Sequence, residues 1–167
     1  MTKREPIDII KGALLLEKRG KALYESVVKT TEIQGVKHLF EMLVEEEKKH
    51  IELLNSQFKH FAKNRDFDDD DLDALPQEPS QDVVSDEIVK DISAAGYESA
   101  VVSAALEFEK KAVSYYSEQA KKASSSAEKK LYDWLTRWEK THMHMLAEID
   151  KDLREAVWYD NQFWPLD

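Results

Sequence analysis

"EEEKKH", residues 45–50, and "RWEKTH", residues 137–142, share an ending: each sets a Glu three residues before a His, with a Lys directly after the Glu. A shift of 92 residues, which carries position 47 onto 139, extends the likeness in both directions. Glu17 falls on Glu109, Lys18 on Lys110 and Tyr24 on Tyr116. Leu39 falls on Leu131, Phe40 on Tyr132, Leu43 on Leu135, His50 on His142 and Leu54 on Leu146. One offset serves both segments of each half without a gap.

A fixed offset marks a repeated structural unit. Its nature follows from periodicity. Ile10, Ala13, Leu14, Glu17, Tyr24 and Val28 recur at three- and four-residue steps, as do Leu39, Phe40, Leu43, Glu47, His50, Leu54 and Phe58. Such spacing lines one face of a helix. The same holds for Ala105, Leu106, Glu109, Val113 and Tyr116, and for Leu131, Leu135, Glu139, His142, Leu146, Ile149 and Leu153. The pattern predicts helices over about 6–32, 36–62, 97–123 and 126–154, with Pro6 early in the first and a Ser125/Glu128 capping box opening the fourth. One hairpin cannot bury its apolar face alone. Two are expected to pack as an all-α antiparallel four-helix bundle in a single domain, 1–167.

Residues 65–95 must connect the hairpins. A helix of about 27 residues is roughly 40 Å long, which a connection of about 30 residues can span. "RDFDDDDLDALPQEPSQD" holds seven Asp and two Pro, so it reads as an acidic crossover, with a short helix expected near 82–93. It lacks the Gly and closing Glu of a calcium loop, which favours a solvated crossover over a cation-attracting one. The aromatic tail, 155–167, is expected either to fold back over an apolar surface or to meet a second subunit, as in a homodimer.

Four Glu and two His lie on otherwise apolar stripes. Buried carboxylates are costly unless paired or bound to metal. Glu17, Glu47, Glu109 and Glu139 with neutral His50 and His142 sum to −4, which two divalent cations cancel; without metal some carboxylates would take up protons. Residues three apart share a helix face, so each Glu-x-x-His can reach one metal pair. One Glu from each of two helices and Glu-x-x-His from each of the other two is the ligand pattern of di-metal carboxylate bundles. Oxygen-rich ligation with two imidazoles suits iron or manganese better than structural zinc. The competing reading is a bundle whose polar residues only pair with one another. Tyr24 and Tyr116 follow the first and third Glu by two turns, either as core aromatics or as hydrogen-bond donors to a liganding carboxylate. Glu45, Glu46 and Glu107 fall off the stripes and are expected to be solvated; His38, His60 and His144 are expected on the surface, and Trp134 and Trp138 are expected to pack around the bundle rather than serve an electron path.

Composition removes several function classes. The formal net charge is −10, unsuited to nucleic acid or an anionic membrane. No Cys is present, so disulfides and thiolate chemistry are excluded within the chain. Residues 1–10 carry no apolar signal core and no run approaches membrane-spanning length, so the cytoplasm is the expected compartment.

"LEKRGKALYE", "EEEKKH", "FEKKAVSYY" and "WEKTH" together resemble the ferritin-like superfamily, most closely rubrerythrin-like di-iron carboxylate proteins. The resemblance covers about 6–62 and 97–154. It implies two iron ions, with Glu47 and Glu139 bridging, Glu17 and His50 completing one metal and Glu109 and His142 the other. It also implies an oxidoreductase, peroxidase- or ferroxidase-like, that uses hydrogen peroxide or dioxygen; the alternative is an iron-binding or storage protein without such turnover. Full-length rubrerythrins carry a Cys-rich rubredoxin domain. This chain has none and is expected to need a separate electron-donor protein. Family sites also carry a further Glu one turn from the third helix's ligand, where Leu106, Ala112 and Val113 cannot ligate. The six-residue set thus looks closer to bacterioferritin-type centres, although the acidic crossover and aromatic tail do not point to a mineral-storing shell.

Overall fold

Pro6 opens the first helix at a position where its missing N–H costs nothing, and Asp8 lies in that helix's first turn. The computed structural model describes residues 5–76, 85–93 and 96–159, with the side chains of 85–87 left aside. Among them the helices are α1 (Pro6–Thr30), α2 (Gln34–Asn64), α3 (Asp69–Asp73), α4 (Ser85–Lys90), α5 (Tyr97–Lys122) and α6 (Ser126–Tyr159). The described residues contain no strand, and the chain is an all-α ferritin-like bundle. No described helix is long and apolar enough to cross a membrane.

The hairpins α1–α2 and α5–α6 each pack along their length, and α1 lies against α5. Two apolar clusters fill the bundle. On α1 the order is Ile10 and Ala13, then Glu17, then Tyr24 and Val27. On α2 the order reverses: Leu39 and Leu43, then Glu47 and His50, then Leu54 and Phe61. Helix α5 runs like α2, and α6 runs like α1. On all four helices the acidic and imidazole positions separate the clusters, so they form one polar layer at the waist.

Because α2 ends beside one cluster and α5 starts beside the other, the crossover travels the full bundle. Leu72 packs into the first cluster, Ile88 and Ile92 into the second. Arg65 ends α2 in the left-handed region, φ 62°. The acidic run is more structured than its charge suggested. Asp68 caps α3 by accepting from the Asp71 N–H at 3.2 Å, and the acidic first turn suits the positive end of the helix dipole. Gln57, fully buried, exchanges hydrogen bonds with the Asp68 backbone, and Lys130 of α6 reaches Asp69 at 2.7 Å and Asp73 at 3.0 Å. The short helix expected at 82–93 covers 85–90, its expected start lying outside the described residues.

Glu128 accepts from the Ser124 N–H at 2.7 Å, while its own N–H donates to Ser125 Oγ at 3.1 Å, closing the start of α6. At the other end α6 continues to Tyr159, so residues 155–159 are helical rather than part of a folded-back tail. The remainder of the aromatic segment lies outside the described residues.

Candidate metal centre

Glu47 and His50 are three residues apart on α2, and Glu139 and His142 on α6; Glu17 of α1 and Glu109 of α5 complete the layer. Every one of the six is 3% exposed or less. They fall into two overlapping groups: Glu17, Glu47, His50 and Glu139, and Glu47, Glu109, Glu139 and His142. Within each group one ligand-type atom per residue lies within 4.8 Å of the others. Glu47 and Glu139 belong to both.

His50 Nδ1 lies 3.1 Å from Glu17 Oε2 and 3.0 Å from Glu139 Oε1. A single N–H cannot serve both; the angle favours Glu17, and the Glu139 oxygens remain without a hydrogen bond. His142 Nδ1 lies 3.3 Å from Glu139 Oε2 and 3.6 Å from Glu109 Oε1, with no hydrogen bond. Glu47 Oε2 and Glu109 Oε2 are likewise buried without partners. Ligands set at right angles about 2.1 Å from one ion lie about 3.0 Å apart. Convergent, buried, unpartnered oxygens and imidazole nitrogens near that spacing fit a metal ion. A network satisfied by internal ion pairs would not leave them so.

The electrostatics agree. Burial, with Glu17 and Glu139 nearby, pushes Glu47 well above the usual carboxylate range. Burial and Glu139 push Glu109 up to about 8 against the pull of His142. Burial opposes charge on His50 too, yet Glu139 and Glu17 outweigh it and raise the imidazole to about 10. His142 moves the same way through Glu109 and Glu139. Glu139 goes down: burial opposes its ionisation, but His50 and His142 overcome that. Glu47, Glu109 and the two imidazoles thus favour protons that a divalent cation would displace, while Glu139 stays ionised.

Tyr24 and Tyr116 are 0% exposed, core rings whose hydroxyls reach the layer. Tyr24 Oη donates to Glu109 Oε1, and Tyr116 Oη donates to Glu17 Oε1. Burial, reinforced by Glu109 or Glu17, holds both phenols well above their usual range, so they remain donors.

Other positions divide. Glu45 and Glu107 are exposed and pair with Lys48 and Lys110; His38 and His144 are exposed, and His60 is half-buried beside Asp66 at 3.0 Å. Glu46, expected in solvent, is instead 8% exposed, with Oε2 unpartnered and Oε1 accepting from Lys49 at 2.7 Å. Its stripe is apolar by neighbour rather than by type, which periodicity of Leu and Phe does not reveal. Trp134 and Trp138 do pack in the core, but edge-on to His50, with ring centres 5.5 and 5.9 Å away.

Four long helices carrying this layer define a ferritin-like carboxylate bundle with a group able to hold metal. The chain belongs to the rubrerythrin family, whose profile matches residues 8–99, just over half its length. Glu109, Glu139 and His142 lie beyond that span and connect to it through the internal repeat. The hypothetical protein Pfu-1136390-001 from Pyrococcus furiosus has a similar structure, with a TM-score of 0.63 over 90% of this chain and 91% of that one. At 19% identity, that likeness speaks for the fold alone. No curated protein matches the chain.

Proposed function

We propose that this protein is a di-iron oxidoreductase of rubrerythrin-like type. It would reduce hydrogen peroxide, or oxidise Fe(II) with peroxide or dioxygen, inside the bundle. The observation that carries the reading is the pair of overlapping buried Glu/His groups with unpartnered ligand atoms. Glu47 and Glu139 would be shared, Glu17 and His50 would serve one ion, and Glu109 and His142 the other. Two iron ions would supply the redox equivalents for the oxidant and Lewis acidity; the same donors accept manganese.

The chain supplies the rest. Leu43, Leu54, Leu135 and Leu146, all 0% exposed, cover the layer from both ends and exclude bulk water. Tyr116 Oη and Tyr24 Oη each hold one oxygen of a terminal carboxylate, leaving the other oxygen for the centre. His50 and His142 turn Nδ1 inward, so metal binding requires the loss of any proton there.

The reading implies a separate electron-donor protein and action in the cytoplasm. Trp158 and Tyr159, 72% and 85% exposed at the end of α6, support a homodimer through that end. The test is catalytic consumption of peroxide by the iron-loaded protein with an external reductant, against an equal concentration of free iron. Turnover above free iron supports the enzyme. Stoichiometric uptake and release without turnover would leave an iron-binding protein.

A further inference from the structure

Two halves related by one offset need not offer the centre the same surroundings. They do not. Trp134 and Trp138 face His50, whereas the positions that the repeat pairs with them are Met42 and Glu46. Tyr132, stacked on Tyr116, is matched by Phe40, packed on Tyr24. All the buried indoles among the described residues therefore lie in the cluster on the Glu17/His50 side.

We propose that Trp138 and Trp134 form the one-electron path between the metal centre and the surface; this rests on the di-iron reading. Their ring centres are 4.9 Å apart, and both touch the His50 ring edge-on. Trp134, the nearer of the two to His50, donates its Nε1 hydrogen to the carbonyl of exposed Pro76 at 2.8 Å, so it touches both the imidazole and the crossover. Tyr132, stacked on Tyr116, is 0% exposed and its hydroxyl is unpartnered, so that ring does not reach the surface.

The electron balance is simple. Reduction of one peroxide to two waters takes two electrons and two protons. The two Fe(II) would supply both electrons, and each is restored by one electron from an external one-electron donor, passed inward through the indole pair to His50. Protons stay on the rings during transfer, since Trp138 Nε1 has no partner and Trp134 Nε1 faces a carbonyl rather than a base. The two protons for water come from solvent.

The experiment compares wild type, Trp138→Phe and Trp134→Phe, each loaded anaerobically with Fe(II) and assayed for iron content and helicity. Substoichiometric peroxide is then mixed in without reductant, and absorbance and freeze-quench electron paramagnetic resonance are recorded. Re-reduction by hexaammineruthenium(II) is followed separately. The path predicts re-reduction slowed about tenfold or more in Trp134→Phe, which touches both His50 and the crossover, and slowed also in Trp138→Phe. Iron content and the initial oxidation by peroxide should be unchanged. Normal re-reduction in both variants would overturn the path while leaving the di-iron reading intact. Wild type that binds no iron, or binds it without reacting with peroxide, would remove both.

Discussion

Tyr24 of α1 donates its hydroxyl hydrogen bond to Glu109 of α5. The equivalent tyrosine of the second half, Tyr116 of α5, donates back to Glu17 of α1. The repeat is therefore crossed: each half holds the carboxylate of the other. Two helices that touch chiefly through apolar and small residues are thereby registered at the site itself.

Tyr24→Phe and Tyr116→Phe remove one donor from a buried carboxylate and create no cavity. Leaving that oxygen unsatisfied costs about 1–3 kcal/mol. Loss of an orienting partner is expected to weaken metal binding about 10–100-fold. Competition with a chelator of known affinity measures this, and the double variant tests whether both ions respond.

The chelator-stripped protein should lose stability as pH rises from about 5 to 10. His50 is raised from 6.5 to about 10, so its stabilisation is full below 6.5 and vanishes as pH rises through 10. Glu109 is raised from 4.5 to about 8; the fold favours its protonated form, so its ionisation penalty grows as pH rises through that window. Glu47 acts in the same direction and Glu139 oppositely, the latter in acid, as pH falls below 4.5. Metal affinity should climb over the same alkaline range. Thermal midpoints against pH, with and without iron, check both signs.

Gly20 marks where α1 meets α5. A Cβ there would lie 2.7 Å from Phe108 Cε1, and that ring is itself set edge-on to Tyr24, with centres 6.3 Å apart. Overpacking of this kind costs about 1–3 kcal/mol, against a helical gain of up to about 1 kcal/mol for Ala over Gly. Gly20→Ala should therefore lower the melting temperature, by about 2–4 °C per kcal/mol of net loss in a chain of this size. Gly35→Ala is the contrast, since its Cβ would meet Ile88 Cγ1 at an ordinary 3.4 Å.

Glu46 is buried one residue from a proposed ligand and belongs to neither metal group. Glu46→Gln should bind as much iron as wild type and lose no more than about 1 kcal/mol of stability. Iron loss in this variant would redraw the site.

The layered site was legible because the repeat doubles every signal. A lone Glu-x-x-His is common on surface helices, whereas two in register with two further Glu are not. The stripes also located Leu43, Leu54, Leu135 and Leu146 correctly. Val28 packs half-buried against the second cluster beside buried Val27, while Val113 lies one residue from the buried Ala112, a difference within the width of a helical face. Glu46 escaped because residue type alone assigns a carboxylate to solvent. The crossover escaped because its order comes from distant partners: Gln57, Lys130 and the pocket around Phe61 that receives Phe67, with ring centres 5.1 Å apart. The tryptophans were recognised as core, but their contact with His50 depends on how α6 faces α2, which no single helix encodes.

The most direct test counts iron. Wild type, Glu47→Ala and Glu139→Ala are loaded anaerobically with Fe(II), freed of excess metal and assayed by elemental analysis, with helicity checked in each. About two irons per wild-type chain, lost in both variants, is the predicted result, since each substitution removes a residue common to both groups. Wild type that folds without binding iron, or folded variants that keep both ions, would contradict the account.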